Sequence, residues 1–155
     1  MARYTASGTS AAALANGTAI ASVVPAAAAN CKVVRIKLGC VNAGGAVTDF
    51  QIGVGINRAT ARGTATGTST GVKSDPDSGA SVITGVDTAW SVQPTLAAAD
   101  YEVLGFNTRG GSDSPYGPLD LVSTVGLANA IVLVNRSGAA LPAGHQITYT
   151  VEWEE

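Results

Sequence analysis

The chain has 155 residues, a formal net charge of −2 and only 13% charged residues. That length fits one domain, and the near-neutral charge argues against nucleic acid, which demands a basic face. One histidine, His145, and two cysteines, Cys31 and Cys40, leave little material for positioned acids, bases or nucleophiles, so composition points to binding or structure rather than catalysis.

Residues 1–30 are poor in charge and rich in Ala and Ser. Ser10 to Ala15 can make one helical turn, capped by Ser10 and stopped at Asn16-Gly17. A short strand follows at Thr18 to Val24 and ends at Pro25. The segment reads as an extended Ala-rich N-terminal arm plus an edge strand, ahead of a β-sandwich over 31–155, the whole forming a single domain. Arg3 ahead of an Ala-rich stretch has the outline of a secretion signal, but Asn16-Gly17 interrupts the apolar run such a signal needs. The longest apolar run, Ala19 to Ala29, is broken by Ser22 and Pro25 and falls short of the roughly 20 residues a membrane helix requires. No membrane partner is expected.

The clearest strand is Cys31 to Leu38. Val34, Ile36 and Leu38 share one face and Arg35 and Lys37 the other, the period of a half-buried antiparallel strand. Cys31 and Cys40 sit on this stretch at opposite parity, so they are expected on opposite faces and too far apart for a disulfide. Asn42 to Gly45 makes a turn. Phe50, Ile52, Val54 and Ile56 then alternate with Gln51, Gly53, Gly55 and Asn57, a second strand expected to pair with the first as a hairpin. The outward glycines predict a bend or the close approach of another backbone.

Residues 58–80 read as a long Gly/Thr/Ser connection closing in Ser74-Asp75-Pro76-Asp77-Ser78-Gly79, a strong turn signal. Long connections of this kind are commonly functional or mobile. Strands are predicted at Val82 to Trp90 and Tyr101 to Asn107, then a polar loop at 109–118. Leu119 to Val125 and Ala130 to Val134 make the next pair. In the last strand, Gln146 to Trp153, the residues Ile147, Tyr149, Val151 and Trp153 face in. About eight short strands with turn punctuation and no long helix predict an all-β, antiparallel β-sandwich, with a jelly roll favoured over an immunoglobulin-type sandwich.

No motif points to chemistry. Asp75-Pro76-Asp77-Ser78-Gly79 has the look of a calcium loop, but Thr84 and Gly85 stand where the bidentate Glu belongs. His145 lies at the entry to the last strand with no Gly-x-Ser-x-Gly nucleophile elsewhere and is expected to be solvated or bonded to a loop. The glycines at 63 and 67 are not followed by Lys-Ser or Lys-Thr, so they build no phosphate cradle. No catalytic, cofactor-binding or metal-binding residue is assigned, and no cofactor is implied. Tyr149 and Trp153 have core parity. Tyr116, in a Ser-Pro-Tyr-Gly-Pro loop, reads as the best exposed aromatic and a contact residue. The acidic end, Glu152, Glu154 and Glu155, reads as a solvated terminus.

The order of segments resembles a family of short jelly-roll virion structural proteins of tailed bacteriophages. The matching features are the Ala-rich start at Ser10 to Ala15 and Ala19 to Val24, and the strand Val33-Val34-Arg35-Ile36. The Gly-rich loop, the Ser74 to Ser81 turn and Thr88-Ala89-Trp90-Ser91 with Gln93-Pro94-Thr95 continue it. Val134-Asn135, Ala140 to Gly144 and Val151-Glu152-Trp153-Glu154-Glu155 complete it. The chain departs from the pattern at Arg109-Gly110-Gly111-Ser112. The resemblance implies a non-enzymatic head decoration or cement protein, made in the bacterial host cytoplasm and carried on the virion. Such a protein binds the outer capsid surface, bridges major capsid subunits, and is expected to be a homo-oligomer, with a trimer favoured. The alternative is a tail-associated or receptor-binding jelly roll that reads carbohydrate through Tyr116 and the loops at 58–80 and 109–118.

Overall fold

The computed structural model describes residues 1–116, 121–123 and 126–155. In chain order the strands are β1 (Arg3–Thr9), β2 (Ala19–Val24), β3 (Cys31–Asn42), β4 (Gln51–Ala61), β5 (Thr64–Ser69) and β6 (Val72–Lys73). They continue with β7 (Gly85–Val92), β8 (Thr95–Leu96), β9 (Glu102–Asn107), β10 (Gly111–Pro115), β11 (Leu121–Ser123), β12 (Ile131–Asn135) and β13 (His145–Glu154). They form two antiparallel sheets packed as a β-sandwich. The first runs β10-β3-β13-β1-β6, with β11 also on β3. The second runs β5-β7-β2-β12-β4-β8, with β9 also on β4. The pairs nest: β1 joins β13, β2 joins β12, β3 joins β10 and β11, and β4 joins β9. Residues 62–100, between β4 and β9, lie outside this nesting and extend both sheets.

The last strand shows how alternation builds the core. Ile147, Tyr149, Val151 and Trp153 are buried between the sheets, while Gln146, Thr148, Thr150 and Glu152 face outward. Tyr4 stacks on Trp153 with ring centroids 6.0 Å apart. Ile20, Ile36, Ile52, Ile56 and Leu133 fill the same interior.

Four expectations need correction. Residues 1–30 are not an arm with an edge strand: β1 lies between β13 and β6, and β2, buried at every residue, lies between β7 and β12. The strand β2, Ala-Ile-Ala-Ser-Val-Val, fits there because it carries no charge on either face, so both faces can be covered. Between them, Ser10 to Ala15 forms a turn without a helix, and the Ser10 hydroxyl accepts the Ile147 N–H. The strands β3 and β4 do not make a hairpin, since they belong to different sheets. Alternation fixes which face of a strand is apolar and leaves its partner open.

The third correction is a bulge. Arg35 opposes Glu152 and Val33 opposes Trp153, so Val34 has no opposite residue. The extra residue flips the parity of the strand. Val33, not Val34, therefore joins Ile36 and Leu38 in the core, and Cys31 and Cys40 share a face. No disulfide joins them. The fourth concerns residues 58–80, which are largely strand: β4 runs on to Ala61, and β5 and β6 follow. The expectation for the outward glycines holds at Gly53, where an added Cβ would meet the Arg136 carbonyl oxygen at 2.8 Å. Some of the expected 119–125 strand, and the end of the 109–118 loop, lie outside the described residues.

Candidate functional site

The outer face of the first sheet is open and polar. Arg3, Glu154 and Lys32 stand side by side on β1, β13 and β3, a plus-minus-plus row. Arg3 bonds Glu154 at 2.6 Å and Lys32 reaches the same carboxylate at 3.5 Å. The Arg3 hydrogen bond holds the Glu154 carboxyl below its ordinary value, and the charge of Lys32 adds to it. Lys37 pairs with Glu152 at 3.1 Å. Arg35 donates through Nε to Asp113 Oδ1 at 2.8 Å and pulls that carboxyl down in turn. Between these pairs runs a groove of about 310 Å³ lined by Val34, Arg35, Tyr116 and Glu152. A shallower one of about 280 Å³ lies over Ser7, Gly39, Thr148 and Thr150. The face offers hydroxyls and internally balanced charges over a paired sheet.

The outer face of the second sheet is covered over β2, β12 and β4, while β9 stays open. Past Arg58, β4 leaves the sheet and pairs with β8 as a separate ribbon. Ala59 and Leu96 of that ribbon pack, with Trp90, on Ala19, Val24, Val132 and Val134. Polar clamps hold the cover down. Asp87, fully buried, accepts from Arg62 at 2.7 and 2.8 Å and from the Thr68 hydroxyl at 2.7 Å. Asn57 donates to the carbonyls of Ala97 and Ala99 and to Asp100, and its own oxygen accepts the Ala97 N–H. Arg136 grips Asp100 with two bonds of 2.8 and 2.9 Å, which hold the Asp100 carboxyl below its ordinary value.

The residues singled out in the sequence do not converge. Tyr116 is half-buried, packs against the core and donates its hydroxyl to Glu102 at 3.0 Å. Burial pushes its phenol upward. It is not the most exposed aromatic, since Tyr101 is 52% exposed. His145 is buried, not solvated. Its Nδ1 lies 3.2 Å from the Ala143 carbonyl, and Nε2 has no partner among the described residues. Asp75 accepts the Asp77 N–H, so the acidic turn is occupied with its own backbone. The acidic end is tied down. The Glu155 carboxylate accepts from Trp153 Nε1 at 2.8 Å, from the Val82 N–H at 2.7 Å and from the Ser81 hydroxyl. Among the described residues no three His, Cys, Asp or Glu gather into a metal-holding group, and no helix is long and apolar enough to cross a membrane. Sequence reasoning missed the clamps at Asp87, Asn57 and Asp100. A lone Asp within the apolar 82–90 strand is a signal that something must pair with it, but nothing local names Arg62.

No family model, no curated protein and no solved structure matches the chain.

Proposed function

We propose that the protein is a bacteriophage virion structural protein, a head decoration or cement protein that binds the outer capsid surface as a homo-oligomer and bridges major capsid subunits. The observation that carries this reading is the nested pairing of strands: first with last, second with second-last, and so inward. Such nesting supports reading the sandwich as a jelly roll, an architecture that serves viral capsid domains, lectins and cupins. A cupin site needs several metal-binding histidines, and the one histidine here is in the core. A lectin reading through Tyr116 loses support because that ring is half-buried and its hydroxyl is engaged. Fold alone does not assign function. The open face of the first sheet adds the kind of surface a shell could receive. The protein acts by binding: whatever it touches only in the assembled state is stabilised by mass action, and repeated capsid sites multiply weak contacts.

The test is to separate heads from tails of the parent particles on a density gradient and quantify this chain by mass spectrometry. A copy number in heads commensurate with capsid symmetry supports the reading. Recovery with tails, joined to a glycan-binding signal lost in Tyr116→Ala, replaces it with the receptor-binding alternative.

A further inference from the structure

Sheet edges expose unsatisfied N–H and C=O groups, and proteins guard them with bulges, short strands, lysine or proline. Among the described residues, most edges here are guarded. The strand β5 meets β7 through three register shifts. The edge strand β6 has two residues, one of them Lys73, and β8 also has two. The strand β10 carries Asp113 and ends in Pro115.

The exception is β9. Its six residues, Glu102 to Asn107, pair with β4 without a shift, and no proline or lysine interrupts them. The Thr108 N–H bonds the Phe50 carbonyl in the same register, so the even-numbered residues turn their backbone groups toward β4. Val103 and Gly105 therefore turn theirs outward. The side chains agree with an unfinished edge: Tyr101 is 52% and Val103 53% exposed, and an added Cβ on Gly105 would meet nothing within 4 Å.

We propose that β9 is a homodimer interface, in which it pairs antiparallel with β9 of a second copy about a two-fold axis centred on Leu104. In this register Val103 of one copy exchanges both backbone bonds with Gly105 of the other, and the symmetric pair does the same. Four donors and four acceptors that turn away from β4, with no partner among the described residues, become mutual partners. The side chains fit as well. Opposite residues of an antiparallel pair share a face, so each Val103 sits over the empty space at Gly105 of the second copy. The fit of Val103 to Gly105 is what favours a second copy of this strand, and charge does not oppose it. Glu102 is the one charged residue of β9; it is already held by the Tyr116 hydroxyl and falls opposite Phe106, roughly 13 Å from the other Glu102 at about 3.3 Å per residue. The neighbouring register, centred on Gly105, would place Val103 against Asn107, whose carbonyl already accepts the Gly110 N–H. An isologous contact closes at two copies, where the sequence reading favours three. The second sheet then runs unbroken through both molecules.

The test needs the intact chain and no capsid, so it is independent of the proposed function. Sedimentation of the 155-residue chain across micromolar concentrations is expected to give twice the chain mass. Val103→Lys and Gly105→Ile act on exposed or empty positions, so both should keep the thermal midpoint of the isolated fold while weakening the dimer at least tenfold. In the double variant Val103→Cys/Gly105→Cys, oxidation should give a covalent dimer in which peptide mapping finds residue 103 joined to residue 105, since hydrogen-bonded antiparallel pairs place Cα atoms about 5.5 Å apart, within disulfide reach. A chain that stays monomeric overturns the proposal. So does an oligomer of three, or one that both single variants leave unchanged, since its contact lies elsewhere.

Discussion

The two outer faces of the sandwich start from the same strand alternation and end in opposite states. On the first sheet, outward residues meet water, and charges pair in rows across β1, β13 and β3. On the second, Val132 and Val134 face outward but lie under the β4–β8 ribbon. The lesson is in the polar groups. Exposed pairs such as Lys37–Glu152, with 44% and 19% side-chain exposure, compete with water and are screened by salt. Under the cover, Asp87 has no water to fall back on, and each of its contacts must come from the chain. One face tolerates change; the other demands completeness.

Substitutions on matched positions sharpen this contrast, and urea unfolding reads them all. The largest effect is expected for Val132→Asp, which buries an unpaired carboxylate under the ribbon and should cost about 4 kcal/mol or more. Its counterpart Ser7→Asp, exposed on the first sheet beside Thr150 and in line with Lys37, should stay within about 0.5 kcal/mol. Equal costs would erase the distinction between the faces. Next comes Asp87→Ala, expected to lose about 3 kcal/mol because the Arg62 guanidinium is left without its partner in a mostly buried setting.

Acid gives a third handle. The folded-state value of Asp100 lies below its ordinary 3.8, so the unfolded chain binds more protons and stability rises with pH through that window. The Asp100 contribution is complete above 3.8 and is lost as pH falls through the lower, folded value. Asp100→Asn should flatten this acid limb. The limb should persist in 1 M salt, whereas the share owed to the exposed Asp113–Arg35 pair should fade. The smallest effect is expected for Lys37→Ala, at most about 0.5 kcal/mol and absent at high salt.

Much of the fold was legible where alternation was clean. The last strand, expected at 146–153 and found at 145–154, and its inward set Ile147, Tyr149, Val151 and Trp153 follow from the residue pattern. What alternation cannot carry is partnership. It assigned β3 and β4 to one hairpin although they lie in different sheets. It also missed the bulge at Val34, because a valine reads as apolar on either face. The strand β5 was hidden by its composition, Thr-Ala-Thr-Gly-Thr-Ser, which has no apolar face to report. The clamps were hidden by distance along the chain: Arg62 and Asp87 stand 25 residues apart, and Arg136 and Asp100 stand 36 apart. Nothing in either neighbourhood selects one partner among several carboxylates. The tethered acidic end was missed for the same reason, since Ser81 and Val82 reach Glu155 from the middle of the chain.

The pairing of β1 with β13 ends with Ala2 and Glu155 exchanging backbone bonds of 3.2 and 3.1 Å. The two ends of the chain are therefore neighbours, and a load drawn between them meets hydrogen bonds arranged like the teeth of a zipper. These bonds would break in succession, at low force. A load carried from the face of one sheet to the face of the other finds no such weak line, because it bears on the interlocked core between them.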